Sequence, residues 1–295
     1  MIDIILDTDI GGDIDDALCL ALALNSPEIS LRAVTTVNTD PPLRARLAAR
    51  MTHTFGQPEI PVAPGCKAMF DGAPTYCKDI NHAVVLTLDD PIPTGDGVDL
   101  LIETARRHAG RIVIVGIGPW TNIATAFERA PDLRGCVARL VLMGGQLDPP
   151  GPESNIRCDP VAAAYVLNLP VPKLLVPLDV TSRQIYAAAD HGDLLRRGLP
   201  ETNLVRDFLR AFQLGRCQGD PSRAPVLHDP LALALAFDDS LITSRQDLRI
   251  DIEHRDGEAV TIAVDGDPNA DVVRAVDEER FAELFRKRIA MLDEA

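Results

Sequence analysis

From Asp7 to Asp16 the chain reads Asp7-Thr-Asp-Ile-Gly-Gly-Asp-Ile-Asp-Asp16, five carboxylates in ten positions. An aliphatic run precedes it at residues 2–6, and an unbroken apolar run follows it at residues 17–24. Like charges crowded between two buried elements repel one another and resist leaving water. Protons or a cation must relieve them, and at neutral pH a hard divalent cation held by oxygens is the simplest relief. A plainer reading covers part of the motif. Asp13 would cap the following helix, and Asp15 and Asp16 would sit in its first turn, where carboxylates favour the macrodipole. Asp7 and Asp9, on the strand side, are not explained that way. An EF-hand loop fails, because counting from Asp7 puts Leu18 where a bidentate Glu is needed.

Three other segments carry polar groups at the ends of expected strands. Gly116-Ile-Gly-Pro-Trp-Thr-Asn122 is a tight turn into a helix, where backbone can approach a ligand and offer a carbonyl. Glu153 and Asn155 stand two residues apart in a polar loop that ends at Asp159, a helix cap. His228 and Asp229 open an apolar helix, with Pro230 in its first turn. Each is sufficiently explained by local structure when taken alone.

Strands and helices that would position these residues alternate along the chain. Strands are expected at residues 2–6, 31–37, 111–115, 139–143 and 174–178. Helices are expected at 17–24, 43–55, 98–108, 121–129, 160–167, 201–217 and 228–237. The helix at 43–55 carries arginines that read as its outer face. A Pro- and Gly-rich stretch over 61–94 reads as a binding loop. A β-hairpin or pair of edge strands follows at 248–264, and an amphipathic helix closes the chain at 278–292. This order predicts an α/β fold: one domain over residues 1–295, an open, mostly parallel sheet with helices on both faces and a Rossmann-like core.

Composition narrows the function. A net charge of −15 argues against nucleic acid or an anionic membrane as partner. Six scattered cysteines, without a C-x-x-C pair, argue against a disulfide framework or a structural zinc site. No apolar run reaches membrane-spanning length, and the start of the chain shows no leader; a cytoplasmic location is expected.

Taken together, Asp7-Thr-Asp-x-Gly…Asp-Asp-Ala17, Gly118-Pro-x-Thr-Asn-Ile-Ala124, Val141-Leu-Met-Gly-Gly145, Glu153-x-Asn…Asp-Pro160 and His228-Asp-Pro230 resemble the inosine–uridine nucleoside hydrolase family over essentially the whole chain. The resemblance implies hydrolysis of the N-glycosidic bond of ribonucleosides with a bound Ca²⁺, and a homo-oligomer, dimer or tetramer. It assigns Asp9, Asp16 and Asp229, with the carbonyl of Ile117, to the metal, and Asp15 to the general base. Glu153 and Asn155 match binders of the ribose hydroxyls. Asp40 falls where many members have Asn, and His82 where a histidine of a ribose-covering loop is expected. His228 is placed to protonate the leaving base.

The chain also departs from that pattern. Two extra residues between Gly11 and Asp15 make Asp13 an alternative participant. The stretch 212–226 lacks the tyrosines that some members place near the leaving group. Aromatics are only 4% of the chain, so base stacking would have to rest on Tyr76, Trp120 or Tyr186, and Trp120 reads as core. Two rival functions are a catalytically weak nucleoside-binding relative and a haloacid-dehalogenase-like phosphatase. The second also begins with a strand and Asp-x-Asp, but it expects Thr or Val where Gly11 stands.

Overall fold

The computed structural model describes residues 1–75, 80–186, 198–218 and 224–290. Its strands are β1 (Ile2–Thr8), β2 (Ile29–Thr36), β3 (Val62–Pro64), β4 (Ile112–Gly116), β5 (Val137–Met143), β6 (Gln146–Leu147), β7 (Pro150–Gly151), β8 (Lys173–Val176), β9 (Ile242–Arg255), β10 (Glu258–Val264) and β11 (Ala270–Val276). Its helices are α1 (Asp15–Leu24), α2 (Pro41–Thr54), α3 (Gly97–Arg107), α4 (Thr121–Arg129), α5 (Leu133–Cys136), α6 (Ser154–Cys158), α7 (Pro160–Leu167), α8 (Leu178–Thr181), α9 (Pro200–Gly215), α10 (His228–Phe237) and α11 (Glu278–Ile289).

Nine strands form one sheet in the order β10-β9-β11-β8-β5-β4-β1-β2-β3, while β6 and β7 make a separate small hairpin. From β11 to β3 every neighbouring pair is parallel, and only β9 runs against the rest, antiparallel to both β11 and β10 at one edge. This is the expected single α/β domain. The chain winds outward from β1 through β2 to β3, then returns to β4 on the other side and winds away through β5 and β8. The crevice between the carboxyl ends of β1 and β4 is therefore the switch point where open α/β sheets receive ligands.

Both faces of the sheet are covered. Ile4 and Leu6 of β1 pack with α1, α9, α10 and α11, whereas Ile5 packs with α3, α4 and α7 on the other face. All ten residues of α1 are buried, because the sheet, α2, α10 and α11 enclose it. That is why its sequence is apolar on every side. Asp159 caps α7 as expected, accepting from the Ala162 amide at 2.9 Å.

Four expectations need correction. The hairpin begins earlier, at Ile242, and β11 joins it to the main sheet by pairing antiparallel with β9 and parallel with β8. The short strands β3 and β11 were not foreseen. Asp13 does not cap α1: the N-cap is Ile14, and the Asp13 carboxylate instead accepts from the Ile14 amide and pairs with Arg216 at 2.8 Å. Arg44 of α2 is not on an outer face but completely buried, with its guanidinium turned under the loops that follow β1 and β2.

Candidate active site

The loop after β1 carries Asp9, and the loop after β4 carries Ile117. These two segments are joined where the Ile117 amide donates to the Asp7 carbonyl at 2.9 Å, and the loop after β2 is tied in by the Val37 amide, which donates to the Thr8 carbonyl at 3.1 Å. Gly118 is required for this approach: a Cβ there would lie 2.9 Å from the Asp9 nitrogen and from Val37 Cγ1. Gly11 turns the acidic loop at φ +127°, a conformation L side chains rarely adopt, and a Cβ there would meet Ile80 at 2.6 Å.

Asp15 and Asp16 open α1 and Asp229 opens α10; one ligand atom from each lies within 4.8 Å of the others, and all three residues are buried. Together with Asp9, Ile117, Glu153, Asn155 and His228 they line a cavity of about 120 Å³, shared with Asp13, Met143 and Arg216. Eight of the ten site residues expected from the sequence are thus brought to one place. A larger open groove of about 640 Å³, lined by Arg139, Lys173 and Arg249, lies at the opposite, amino ends of β5 and β8 and shares no residue with this site.

The electrostatics are those of a site waiting for positive charge. Burial first, and then the neighbouring Asp13, Asp16 and Asp9, push the Asp15 carboxyl far above the usual carboxylate range. Asp229 is raised in the same way by burial and by Asp15, Asp16 and Asp9. Asp16 Oδ1 accepts from the Thr8 hydroxyl at 2.5 Å. Asp9 Oδ2 accepts from the Asn38 amide at 3.1 Å, and Asn38 Oδ1 is buried without a partner among the described residues. The donors are carboxylates, a carbonyl and an orphaned amide oxygen, so they fit a hard divalent cation rather than a soft one.

Glu153 and Asn155 are held firmly. The Glu153 carboxylate caps α6, accepting from the amides of Asn155 and Ile156 at 2.9 and 3.1 Å and from the Gly145 amide at 3.1 Å. The Asn155 amide donates to the carbonyls of Ile117 at 2.9 Å and Met143 at 3.3 Å. The Ile117 oxygen keeps a second lone pair for another ligand. His228 Nδ1 lies 2.8 Å from the Thr181 hydroxyl. Burial lowers its pKa to about 4, with Asp13 opposing that shift and Arg216 adding to it, so the ring is neutral near pH 7.

Two expected residues are not brought in. Asp40 is exposed and caps α2, accepting from the Leu43 amide at 3.2 Å; the left-handed turn at Asn38 and Thr39 sends Asn38 inward in its place. His82 is fully buried beside the acidic loop but does not line the cavity. Its backbone amide donates to the Gly11 carbonyl, its ring packs edge-on against Phe208 at 5.2 Å, and burial with the nearby Arg44 charge lowers its pKa to about 3. Asp7, counted in the acidic motif, points to the other face of the sheet. There Thr35 and Asn122 donate to it at 2.5 and 2.7 Å, and burial raises its pKa to about 7. Among the stacking candidates, Trp120 and Tyr186 are core residues and Tyr76 lies outside the described residues.

Sequence reasoning missed Thr8, Asn38, Arg44, Thr181 and Arg216. A signal existed for Asn38, a polar residue directly after a strand that neighbours β1. None existed for Arg44, whose partners lie in two separate loops.

Comparison with known proteins agrees with this geometry. The sequence profile described as inosine-uridine preferring nucleoside hydrolase matches residues 4–283. The pyrimidine-specific ribonucleoside hydrolase RihA of Salmonella paratyphi B is 30% identical over 97% of each chain. A plant nucleoside hydrolase, the PpNRh1 enzyme, superposes with a TM-score of 0.86 at 25% identity, covering 98% of this chain and 99% of its own. A purine-preferring ribonucleoside hydrolase from Gardnerella vaginalis gives 0.81 at 25% identity over 98% of both chains.

Proposed function

The chain belongs to the inosine-uridine preferring nucleoside hydrolase family, hydrolases acting on N-glycosyl compounds, and we propose that it cleaves ribonucleosides to ribose and free base with a calcium ion in the acidic site. The observation that carries this reading is the convergence of Asp15, Asp16 and Asp229 at the switch point of the sheet. The charge balance of these groups calls for a bound cation.

In this reading Asp9, Asp16, Asp229 and the Ile117 carbonyl hold Ca²⁺. Bound there, the ion would lower the pKa of a water molecule and would hold ribose hydroxyls. Asp15 would serve as the base toward water. Asp13 is a poorer base, because its carboxylate is engaged by Arg216 and the Ile14 amide. Glu153 and Asn155 hold ribose hydroxyls. The departing base leaves ribosyl-cation character at the anomeric carbon, which the surrounding carboxylates stabilise. His228, neutral and anchored at Nδ1 by Thr181, directs Nε2 as a donor to the leaving base.

Pyrimidine ribonucleosides come first among substrates. Relatives about 30% identical over nearly the whole chain carry that specificity in their names, and the cavity's described lining contains no Phe, Tyr or Trp side chain on which a purine would stack. A dimer or tetramer and a cytoplasmic location belong to the same proposal, the first from family kinship and the second from cysteine usage. Among the described residues no helix is long and apolar enough to cross a membrane.

Reducing-sugar release from uridine, cytidine, inosine and adenosine, run beside calorimetric binding, tests the function. Release of ribose with uridine or cytidine foremost is expected. Tight nucleoside binding without ribose release would make the chain a binding protein instead.

A further inference from the structure

Arg44 spends a completely buried guanidinium on loop oxygens. Nε donates to the Asn38 carbonyl at 2.9 Å, Nη1 to the carbonyls of Ile10 at 2.9 Å and of Asp9, and Nη2 to the Thr39 hydroxyl at 3.1 Å. Burying a charge is costly unless its hydrogen bonds are made and opposite charge lies near. Here four oxygens supply the first, and one of them is the carbonyl of Asp9, itself a carboxylate residue.

The oxygens belong to the two segments that present Asp9. Residues 9–10 are gripped directly through their carbonyls. Asn38 and Thr39 sit at φ 74° and 55°, a left-handed region that non-glycine residues seldom occupy. The guanidinium bonds to both, and from that turn the Asn38 amide reaches Asp9 Oδ2. One planar fork thus fixes the Asp9 backbone and the side chain that orients its carboxylate. Lysine, a single point of charge on a flexible stem, cannot span these four oxygens.

We propose that Arg44 is a positioning residue for the cation site: it holds Asp9 and Asn38 in the geometry that binds the ion, and it does so against the repulsion of its own positive charge. This rests on the calcium reading above. It has a diagnostic sign, because orientation and charge act oppositely. Losing the fork weakens cation binding, whereas losing only a repulsive charge strengthens it.

The test is Ca²⁺ affinity, by chelator competition on the full chain, for wild type, Arg44→Lys and Arg44→Met, each below its melting temperature. Both variants are expected to bind Ca²⁺ about tenfold or more weakly, the usual scale for a lost partner of a metal ligand. Excess Ca²⁺ should restore kcat. Tighter binding by Arg44→Met with Arg44→Lys unchanged would overturn the proposal in favour of charge alone. Equal affinities in all three proteins, whatever their melting temperatures, would leave Arg44 a stabilising residue only and overturn it too. If neither Arg44 variant folds, Asn38→Ala decides: weakened Ca²⁺ binding supports the chain of contacts, and wild-type affinity breaks it. A wild type that binds no Ca²⁺ overturns the calcium reading and this inference with it. A wild type that binds beside unaffected variants overturns this inference alone.

Discussion

Asp15 and Asp229 bring their buried carboxyl groups to within 4.8 Å of each other across the first turns of α1 and α10. Burial and mutual repulsion raise both carboxyls well above the usual range, so protons and a cation compete for the site.

The metal-free protein is therefore expected to lose stability as pH rises. Asp15, Asp229 and Asp7 all have folded-state pKa values above the ordinary 3.8. Between that value and the raised one the folded state binds more protons than the unfolded state, so their contribution is complete below pH 4 and declines above it. For Asp7 the decline runs to about pH 7, and the shift corresponds to a loss on the order of 4 kcal/mol. His82 and His228, with folded pKa values lowered to about 3 and about 4, oppose this decline below the ordinary histidine value of 6.5, so thermal melts in chelator at about pH 6.5 and about pH 8.5 should show the lower midpoint at the higher pH, and saturating Ca²⁺ should raise that midpoint far more. A metal-free midpoint that climbs with pH would contradict this.

Asp15→Asn and Asp16→Asn should separate. The first is expected to keep the cation while kcat falls by on the order of 10²-fold or more, the scale of a lost general base. The second should weaken the cation itself, since it removes a ligand that Thr8 orients. Metal affinity and kcat measured on both variants check this. The same residual rate and the same affinity in both would dissolve the division of roles.

His228→Ala should slow uridine and inosine while largely sparing p-nitrophenyl riboside, whose leaving group departs without a proton. Steady-state kinetics on the three substrates decide the point. Parallel losses would mean that His228 only packs against Thr181 and orients Asp229.

Asp13→Asn is expected to be mild. The Asp13–Arg216 pair has side chains 35% and 56% exposed, and such pairs contribute less than about 1 kcal/mol. A urea titration and kcat/KM for uridine measure it. A loss as deep as that of Asp15→Asn would make Asp13 the base.

The parallel core, the acidic motif and the histidine–aspartate pair were legible because each rests on a local pattern: aliphatic runs, alternation of elements, and polar residues directly after strands. What escaped depends on which way one residue turns. Asp7 and Asp9 look equivalent in the sequence and would share a face if the strand continued, yet β1 ends at Thr8, so Asp7 stays with Ile5 on the α4 side while Asp9 leaves the strand for the cavity. Asp40 and Asn38 differ by a left-handed turn that no glycine announces. Arg44, Arg46 and Arg50 read alike along α2, and only Arg44 meets carbonyls from two distant loops. The strand β3 is only three residues long, too short for periodicity to mark, and β11 lacks clean alternation of burial.

The most direct test of the whole account is a titration of Ca²⁺ into chelator-stripped enzyme while uridine cleavage is followed by ultraviolet absorbance. The rate should rise from near zero in proportion to bound ion and saturate at about one Ca²⁺ per chain, as a single oxygen-ligand site requires. Full activity with no metal by elemental analysis, or activity that tracks stoichiometric zinc or iron instead, would contradict it.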